Sequence, residues 1–127
     1  MKYLWDTHAL IWAMEDDPQL AAPARKAAGE RNESAVAGIS LWEVACLLHL
    51  GRIRLAIPLA EWMDAVMARL PVLNITGRIA ARCYDLGEFH GDPADRIIAA
   101  TALVHGLTLI TRDGKLRKHR AVVSLWD

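Results

Sequence analysis

Four acidic residues lie where the sequence predicts that a buried strand ends or a buried helix begins. They are Asp6, Glu43, Asp95 and Asp113. In open parallel sheets, ligands bind in the crevice beyond the carboxyl ends of the strands, so these side chains are expected at one edge of a sheet. Two carboxylates about 4 Å apart repel each other by roughly 4 kcal/mol at a surface-like dielectric constant. A bound divalent cation would remove that repulsion.

An all-oxygen set of ligands restricts the chemistry that follows. Without a paired histidine or cysteine, it favours a hard cation, Mg²⁺ or Mn²⁺, that keeps several waters and also binds phosphate oxygens. Such an ion can lower the pKa of a bound water, orient it in line with a phosphodiester and neutralise charge on the leaving oxygen. The acids therefore predict metal-dependent phosphoryl-transfer chemistry that needs no protein nucleophile.

Each acid also has a structural interpretation. Ser40 and Glu43 match the S-x-x-E capping box, while Asp92, Pro93 and Asp95 match an N-cap, a proline at the first helical position and an acid that the helix dipole favours. Helical spacing favours a functional role, because Glu43 and Asp95 each head an apolar stripe. We therefore predict that Asp92 caps its helix, whereas Asp95 contacts a metal for which Asp92 is not essential.

Short apolar strands alternate with helices along the chain. The predicted strands cover residues 2–5, 34–38, 71–75, 107–111 and 121–126. The predicted helices cover residues 8–14, 21–33, 59–70, 76–89 and 93–105, a helix from Ser40 as N-cap to Gly51, and a short basic helix within 112–120. Five strands separated by helices predict an α/β fold, in which helices flank both faces of a central, mostly parallel five-stranded sheet.

Length and composition predict a single domain that is located in the cytoplasm. A chain of 127 residues is long enough for a single core. A hydrophobic content of 54% and a mean hydropathy of +0.15 favour an oligomer that covers some apolar surface. A net charge of zero argues against indiscriminate nucleic-acid binding, though not against a local basic patch. Cys46 and Cys83 lack metal-ligand spacing, which is typical of a reducing compartment, and no apolar run is long enough to span a membrane.

Four segments of the sequence resemble the PIN-domain ribonucleases, specifically the VapC toxins of bacterial toxin–antitoxin pairs. They are LWDTHALIW, ISLWEVA, HGDPADRIIAATA and LITRD, in this order and with similar spacing over essentially the whole chain. The resemblance implies a three-layer PIN-like sandwich over residues 1–127, Mg²⁺- or Mn²⁺-dependent cleavage of RNA, and a homodimer. It also implies inhibition by a cognate antitoxin whose C-terminal segment covers the active site, with DNA contacted only through that antitoxin.

The resemblance assigns the family's acidic quartet to the same four residues. It implies that Asp6 and Asp95 bind the metal directly, and that Glu43 binds a metal or positions the attacking water. Asp113 would complete the acidic pocket, through a water or at a second ion. The short TRDG end of the pattern lacks the further downstream acid that some relatives carry, which favours a single ion in the resting protein.

Several polar residues beside the acids have two interpretations each. Thr7, Ser40 and Thr111 either orient the acids and donate to a phosphate, or act as caps and turn residues. His8 and His90 are either general bases or hydrogen-bonded structural residues. The sequence leaves both pairs of alternatives open.

The basic residues near the proposed site also have two interpretations each. Arg96 either pairs with Asp92 one helical turn earlier or contacts RNA. Arg112 and Lys115 belong to a basic segment, residues 112–120, that either contacts phosphates or forms a solvated face.

Five tryptophans accompany a single phenylalanine in this chain. They are Trp5, Trp12, Trp42, Trp62 and Trp126. Core packing is expected for most of them. On the helix at 59–70, however, Trp62 belongs to a wide apolar stripe that packs in the core, forms a dimer face or receives an antitoxin helix.

Other classes of protein fit the sequence less well. A haloacid-dehalogenase-type phosphatase needs a second aspartate two residues after the first, where this chain has His8. The nucleotide-binding motifs G-x-x-x-x-G-K-[ST] and G-x-G-x-x-G do not occur in the sequence. The remaining alternative is a catalytically silent PIN fold that binds RNA or another protein, which the retention of all four acids disfavours. We therefore predict a metal-dependent endoribonuclease that a partner protein holds inactive.

Overall fold

Strands and helices alternate along most of the chain in the computed structural model, which describes residues 1–87 and 92–127. The strands are β1 (Tyr3–Trp5), β2 (Ser34–Ala37), β3 (Val72–Leu73), β4 (Thr108–Ile110) and β5 (Ser124–Leu125). The helices are α1 (Thr7–Met14), α2 (Ala22–Ala28), α3 (Gly38–His49), α4 (Leu59–Arg69), α5 (Gly77–Cys83), α6 (Pro93–His105) and α7 (Gly114–Lys118). The predicted α/β class is confirmed.

The strands form one five-stranded sheet in the order β3-β2-β1-β4-β5, and every neighbouring pair is parallel. Parallel neighbours need a crossover between them, which the helices supply. β1 lies at the centre, where Trp5 pairs with Val36 of β2 on one side and with Ile110 of β4 on the other. The carboxyl ends of these three strands are therefore level, and the residues that follow them meet at one edge.

Helices cover both faces of the sheet. On one face, Trp5, Val36 and Ile110 pack with buried residues of α1, α2, α3 and α4. On the other face, Leu4 and its strand neighbours pack with buried residues of α6 and α7. This three-layer arrangement explains why the central strands are apolar at successive positions rather than alternating. Trp62 belongs to the first cluster, so its predicted core packing is confirmed.

The helix α6 has clear start and stop signals. The Asp92 side chain accepts a hydrogen bond from the Asp95 backbone N–H at 2.8 Å, and Pro93 occupies the first turn, so the predicted cap is confirmed. The helix ends at Gly106, whose φ of 65° lies in the left-handed region. Within residues 1–87 and 92–127, no helix is long and apolar enough to cross a membrane.

The predicted capping role of Ser40 is wrong. α3 begins two residues earlier, at Gly38, with Ala37 at the N-cap position and no side-chain cap. The strand β2 runs directly into this helix, so Ser40 falls inside the first turn and is fully buried. The S-x-x-E pattern around Glu43 is therefore not a capping box.

Two other element boundaries differ from the prediction. α5 begins at Gly77, one residue after the predicted start, with the Thr76 hydroxyl as its cap, and it ends at Cys83 rather than continuing to residue 89. The turn that follows contains Leu86, which is buried in the core, and residues 88 and 89 lie outside the described residues. The closing strand is also shorter than residues 121–126, because only Ser124 and Leu125 pair with β4.

Substituting Gly106 with alanine should lower the free energy of unfolding by about 1 kcal/mol, because a Cβ atom is disfavoured at a positive φ. Nothing lies within 4 Å of the position that the Cβ atom would occupy, so the loss would come from the backbone conformation alone. Gly77→Ala at the start of α5 is the matched control, since that position is equally open and has no positive φ. Urea unfolding curves would measure both, and equal stability of the two variants would contradict the argument.

Candidate active site

Asp6 lies at the centre of the carboxyl edge of the sheet. It directly follows β1, it is nearly fully buried, and its backbone N–H donates to the Ile110 carbonyl of β4 at 3.1 Å. Its Oδ1 atom caps α1 by accepting from the Ala9 N–H at 2.9 Å, and its Oδ2 atom accepts from the Thr111 hydroxyl. Each carboxylate oxygen of Asp6 is therefore held by a different element.

Thr111 links two of the four acids. Its hydroxyl donates to Asp6 and accepts from the Asp113 backbone N–H at 3.0 Å. Asp113 in turn caps α7, because its Oδ1 atom accepts from the backbone N–H groups of Lys115 and Leu116 at 2.8 and 3.2 Å. Thr111 is fully buried and orients the Asp6 carboxylate, whereas Asp113 is exposed at the surface.

The other two acids, Glu43 and Asp95, lie on the helices α3 and α6. Glu43 lies on α3 and its Oε1 atom accepts from the Thr7 hydroxyl at 2.5 Å, which ties α3 to the start of α1. Asp95 lies in the first turn of α6 and shares its face with the fully buried Ile98 and Ala99. The apolar packing of α6 therefore holds the Asp95 carboxylate at the edge of the sheet.

These acids line one pocket of about 410 Å³. Its described walls are formed by Asp6, Thr7, His8, Trp12, Glu43, Asp92, Asp95, Arg112 and Asp113. The fold thus brings together all four predicted acids, although their catalytic and metal-binding roles remain predictions.

The remaining predicted site residues are placed around this pocket. Arg96 donates to the Cys83 carbonyl at 2.7 Å and lies over the Tyr84 ring, so it ties α6 to α5. Ser40 is fully buried, which keeps it from a bound phosphate, and its Oγ atom has no hydrogen-bond partner among the described residues. His90 lies outside the described residues.

The pocket raises the pKa values of Asp6, Glu43 and Asp95. Burial raises the pKa of Asp6 to about 6, against the opposing effect of the hydrogen bonds from Thr111 and Ala9. Burial, together with the charges of the neighbouring carboxylates, raises the pKa of Asp95 to about 7. The pKa of Glu43 is raised by burial and lowered in part by the hydrogen bond from Thr7. The fold therefore concentrates acids where their charged forms are disfavoured.

The donor chemistry of this pocket fits a hard divalent cation. Among the described residues, none of the four acids forms an ion pair with lysine, arginine or histidine. In the same part of the chain, no group of three or more Asp, Glu, His or Cys side chains forms a ready-made metal cage. Mg²⁺ commonly binds through one or two carboxylates and several waters, so it does not need such a cage. An ion at this site would relieve the mutual repulsion that raises the pKa of Asp95.

Trp12 lines the pocket, a position that was not predicted for it from the sequence. It lies one helical turn after His8 on α1, and the two rings are 5.8 Å apart. The i, i+4 spacing from a histidine next to Asp6 is the signal that could have identified it.

Comparison with known proteins identifies the family. A family model described as "PIN domain" matches residues 3–122. The chain belongs to the PIN-domain family. "Ribonuclease VapC22" of Mycobacterium tuberculosis (strain ATCC 25618 / H37Rv) is 40% identical over 126 residues, which are 97% of each chain. At this level of similarity, the PIN domain described above is a nuclease of the VapC type.

Solved structures of toxin–antitoxin and VapBC complexes contain chains with the same architecture. A toxin–antitoxin complex from Klebsiella pneumoniae contains a chain that is 25% identical, with 96% of each chain covered and a TM-score of 0.71. DNA-bound VapBC from Salmonella typhimurium contains a chain that is 20% identical, with coverage of 98% and 97% and a TM-score of 0.73. The second similarity shows the fold alone.

The stability of the metal-free PIN domain should fall as the pH rises from 5 to 8. A carboxyl whose pKa is raised by folding stabilises the protein below its unfolded pKa, and this contribution is lost as the pH passes the folded values of about 6 for Asp6 and about 7 for Asp95. For the buried Asp6 the full loss, from below its unfolded pKa to above its folded pKa, is on the order of 2 to 3 kcal/mol, and about half of it falls between pH 5 and 8. Urea unfolding in EDTA across this range measures the slope.

Asp95→Asn should flatten this pH dependence, because an amide does not ionise. Asp64→Asn is the matched control, since Asp64 is exposed on α4 and does not line the pocket. Added Mn²⁺ should restore stability at pH 8 in the wild type. Identical slopes for wild type and Asp95→Asn would contradict the assignment.

Proposed function

We propose that this PIN-domain protein is an endoribonuclease, which hydrolyses RNA phosphodiester bonds with Mg²⁺ or Mn²⁺ at the acidic pocket. The observation that carries the proposal is the convergence of four carboxylates on one pocket, where the pKa of Asp6 is raised to about 6 and that of Asp95 to about 7. Strongly perturbed acids in a cleft mark functional sites. The name of its 40% identical relative, a ribonuclease, supports RNA as the substrate.

Asp6 and Asp95 would hold the ion. Asp6 is fixed at both oxygens by Ala9 and Thr111, and Asp95 is held by the packing of α6. When bound, the ion activates a water for in-line attack and neutralises negative charge on the phosphate. The nuclease therefore needs no protein nucleophile.

The other polar residues would position substrate and water. Thr7 holds one oxygen of Glu43, which leaves the second oxygen to bind the ion or accept a hydrogen bond from the attacking water. Asp113 extends the acidic surface, through a water or at a second ion. Arg112 lines the pocket and would donate to a phosphate. Lys115 follows three residues later in the sequence, on α7.

We further propose that this nuclease is the toxin of a toxin–antitoxin pair, inhibited by a cognate antitoxin and active on cytoplasmic RNA. The 25% identical chain of a toxin–antitoxin complex supports this proposal. Trp42 on α3 is 62% exposed and Met67 on α4 is 50% exposed. Such exposed apolar groups support a homodimer and an antitoxin interface, and any contact with DNA would be made by the antitoxin.

RNA cleavage by the partner-free protein should require Mg²⁺ or Mn²⁺ and should stop on addition of EDTA. Asp6→Asn and Asp95→Asn should each lower the cleavage rate roughly 100-fold or more, because each removes a ligand for the ion. Asp92→Asn changes the same pocket but should retain cleavage, since asparagine caps a helix as well as aspartate does. Gel assays of single-stranded and structured RNAs measure these rates.

Asp64→Asn on α4 controls for handling and folding in the same assay. Cleavage that survives chelation, or that survives in both Asp6→Asn and Asp95→Asn, would contradict the proposed mechanism. A folded protein that binds RNA and cleaves none would instead favour the catalytically silent alternative.

A further inference from the structure

One wall of the acidic pocket is aromatic and basic rather than acidic. It is formed by His8, Trp12 and Arg112. The His8 ring lies 5.8 Å from the Trp12 ring at an angle of 52°, and the Arg112 guanidinium lies 5.6 Å from the centre of the Trp12 ring. Five acids lie on the other walls of the same pocket. An ion and a phosphate account for the acids and the arginine, but neither accounts for the rings.

Contacts with residues outside the pocket hold this wall in place. Trp12 packs against the Trp126 ring at 5.7 Å and against the buried core on its face of the sheet. Arg112 donates to the Gln19 side chain at 3.2 Å, and its guanidinium has further N–H donors for a ligand. His8 and Arg112 are exposed, whereas Trp12 is half-buried, so the wall presents one fixed aromatic ring and two accessible polar groups.

Fixed rings and a guanidinium beside a phosphate site are the groups that bind nucleobases. Bases of single-stranded nucleic acids stack on aromatic side chains and on arginine planes, and each such contact strengthens binding by about 5- to 150-fold. A base inside a duplex is already stacked and cannot reach such a wall without being unpaired. The wall therefore fits an unpaired nucleotide.

We propose that His8, Trp12 and Arg112 form a nucleobase subsite of this nuclease. An unpaired base next to the cleaved phosphodiester stacks on the Trp12 ring and contacts the tilted His8 ring, and Arg112 donates to the phosphate of the same nucleotide. The inference rests on the proposed function, because it assumes that the acidic pocket cleaves RNA.

A double-mutant cycle between Trp12 and the bases of the RNA tests the subsite. The probes are short synthetic single-stranded RNAs that the wild type cleaves once, each with one abasic nucleotide at a different position around the cleavage site. Binding is measured by fluorescence anisotropy in the Asp95→Asn background with Mg²⁺, so that the RNA stays intact. Trp12→Leu should weaken binding of the unmodified RNA about tenfold. The same substitution should have little further effect on the one RNA that lacks the stacked base.

Two further variants separate stacking from packing. Trp12→Phe should recover much of the lost affinity, because phenylalanine keeps an aromatic face. Tyr84→Leu removes an exposed aromatic ring outside the pocket and should leave affinity unchanged.

The inference is overturned if Trp12→Leu weakens binding of every abasic RNA by the same factor as it weakens binding of the unmodified RNA, or if it weakens neither. In those cases metal-dependent cleavage by the wild type would still stand, so only the subsite would fail. If the wild type neither binds nor cleaves RNA, the proposed function and the subsite fail together.

Discussion

The burial of several carboxylates together at the carboxyl edge of the sheet is the constraint on which the rest of the site depends. Parallel pairing of β1 with β2 and β4 makes their ends level, so acids that are far apart in the sequence share one pocket. Burial and the neighbouring charges then raise the pKa of Asp95 to about 7. The hydroxyls of Thr7 and Thr111 offset part of this penalty by donating to Glu43 and Asp6.

Much of the fold could be predicted because local and tertiary signals agree. The apolar runs around Leu4, Val36 and Leu109 became neighbouring strands, and α6 has its predicted cap at Asp92 and its predicted bounds, Pro93–His105. Ser40 is the clearest failure. Its S-x-x-E pattern is a local signal for a helix start, but the chain leaves β2 directly into a helix that begins at Gly38. Where that turn begins is decided by the packing of strand and helix, which the pattern does not contain.

The acids of the site could also be predicted, because each follows a strand or heads an apolar stripe. The hydrogen-bond donors that hold those acids were harder to predict from the sequence. That Thr7 would donate to Glu43 and Thr111 to Asp6 depends on how α3 and β4 sit beside β1, so the sequence left their roles open. Trp12 was expected among the core tryptophans, and it does pack on Trp126, but it also lines the pocket. A residue that serves both core and pocket has no distinct sequence pattern.

Proton release on metal binding is the most direct test that the acidic pocket is built for an ion. Calorimetric titration of Mn²⁺ into the partner-free protein, in buffers with different ionisation enthalpies, counts the protons released per ion. With the pKa of Asp6 at about 6 and that of Asp95 at about 7, binding should release about one proton or more at pH 6 and almost none at pH 8. Proton release that is equal at the two pH values, or Mn²⁺ binding that Asp95→Asn leaves unchanged, would contradict the account.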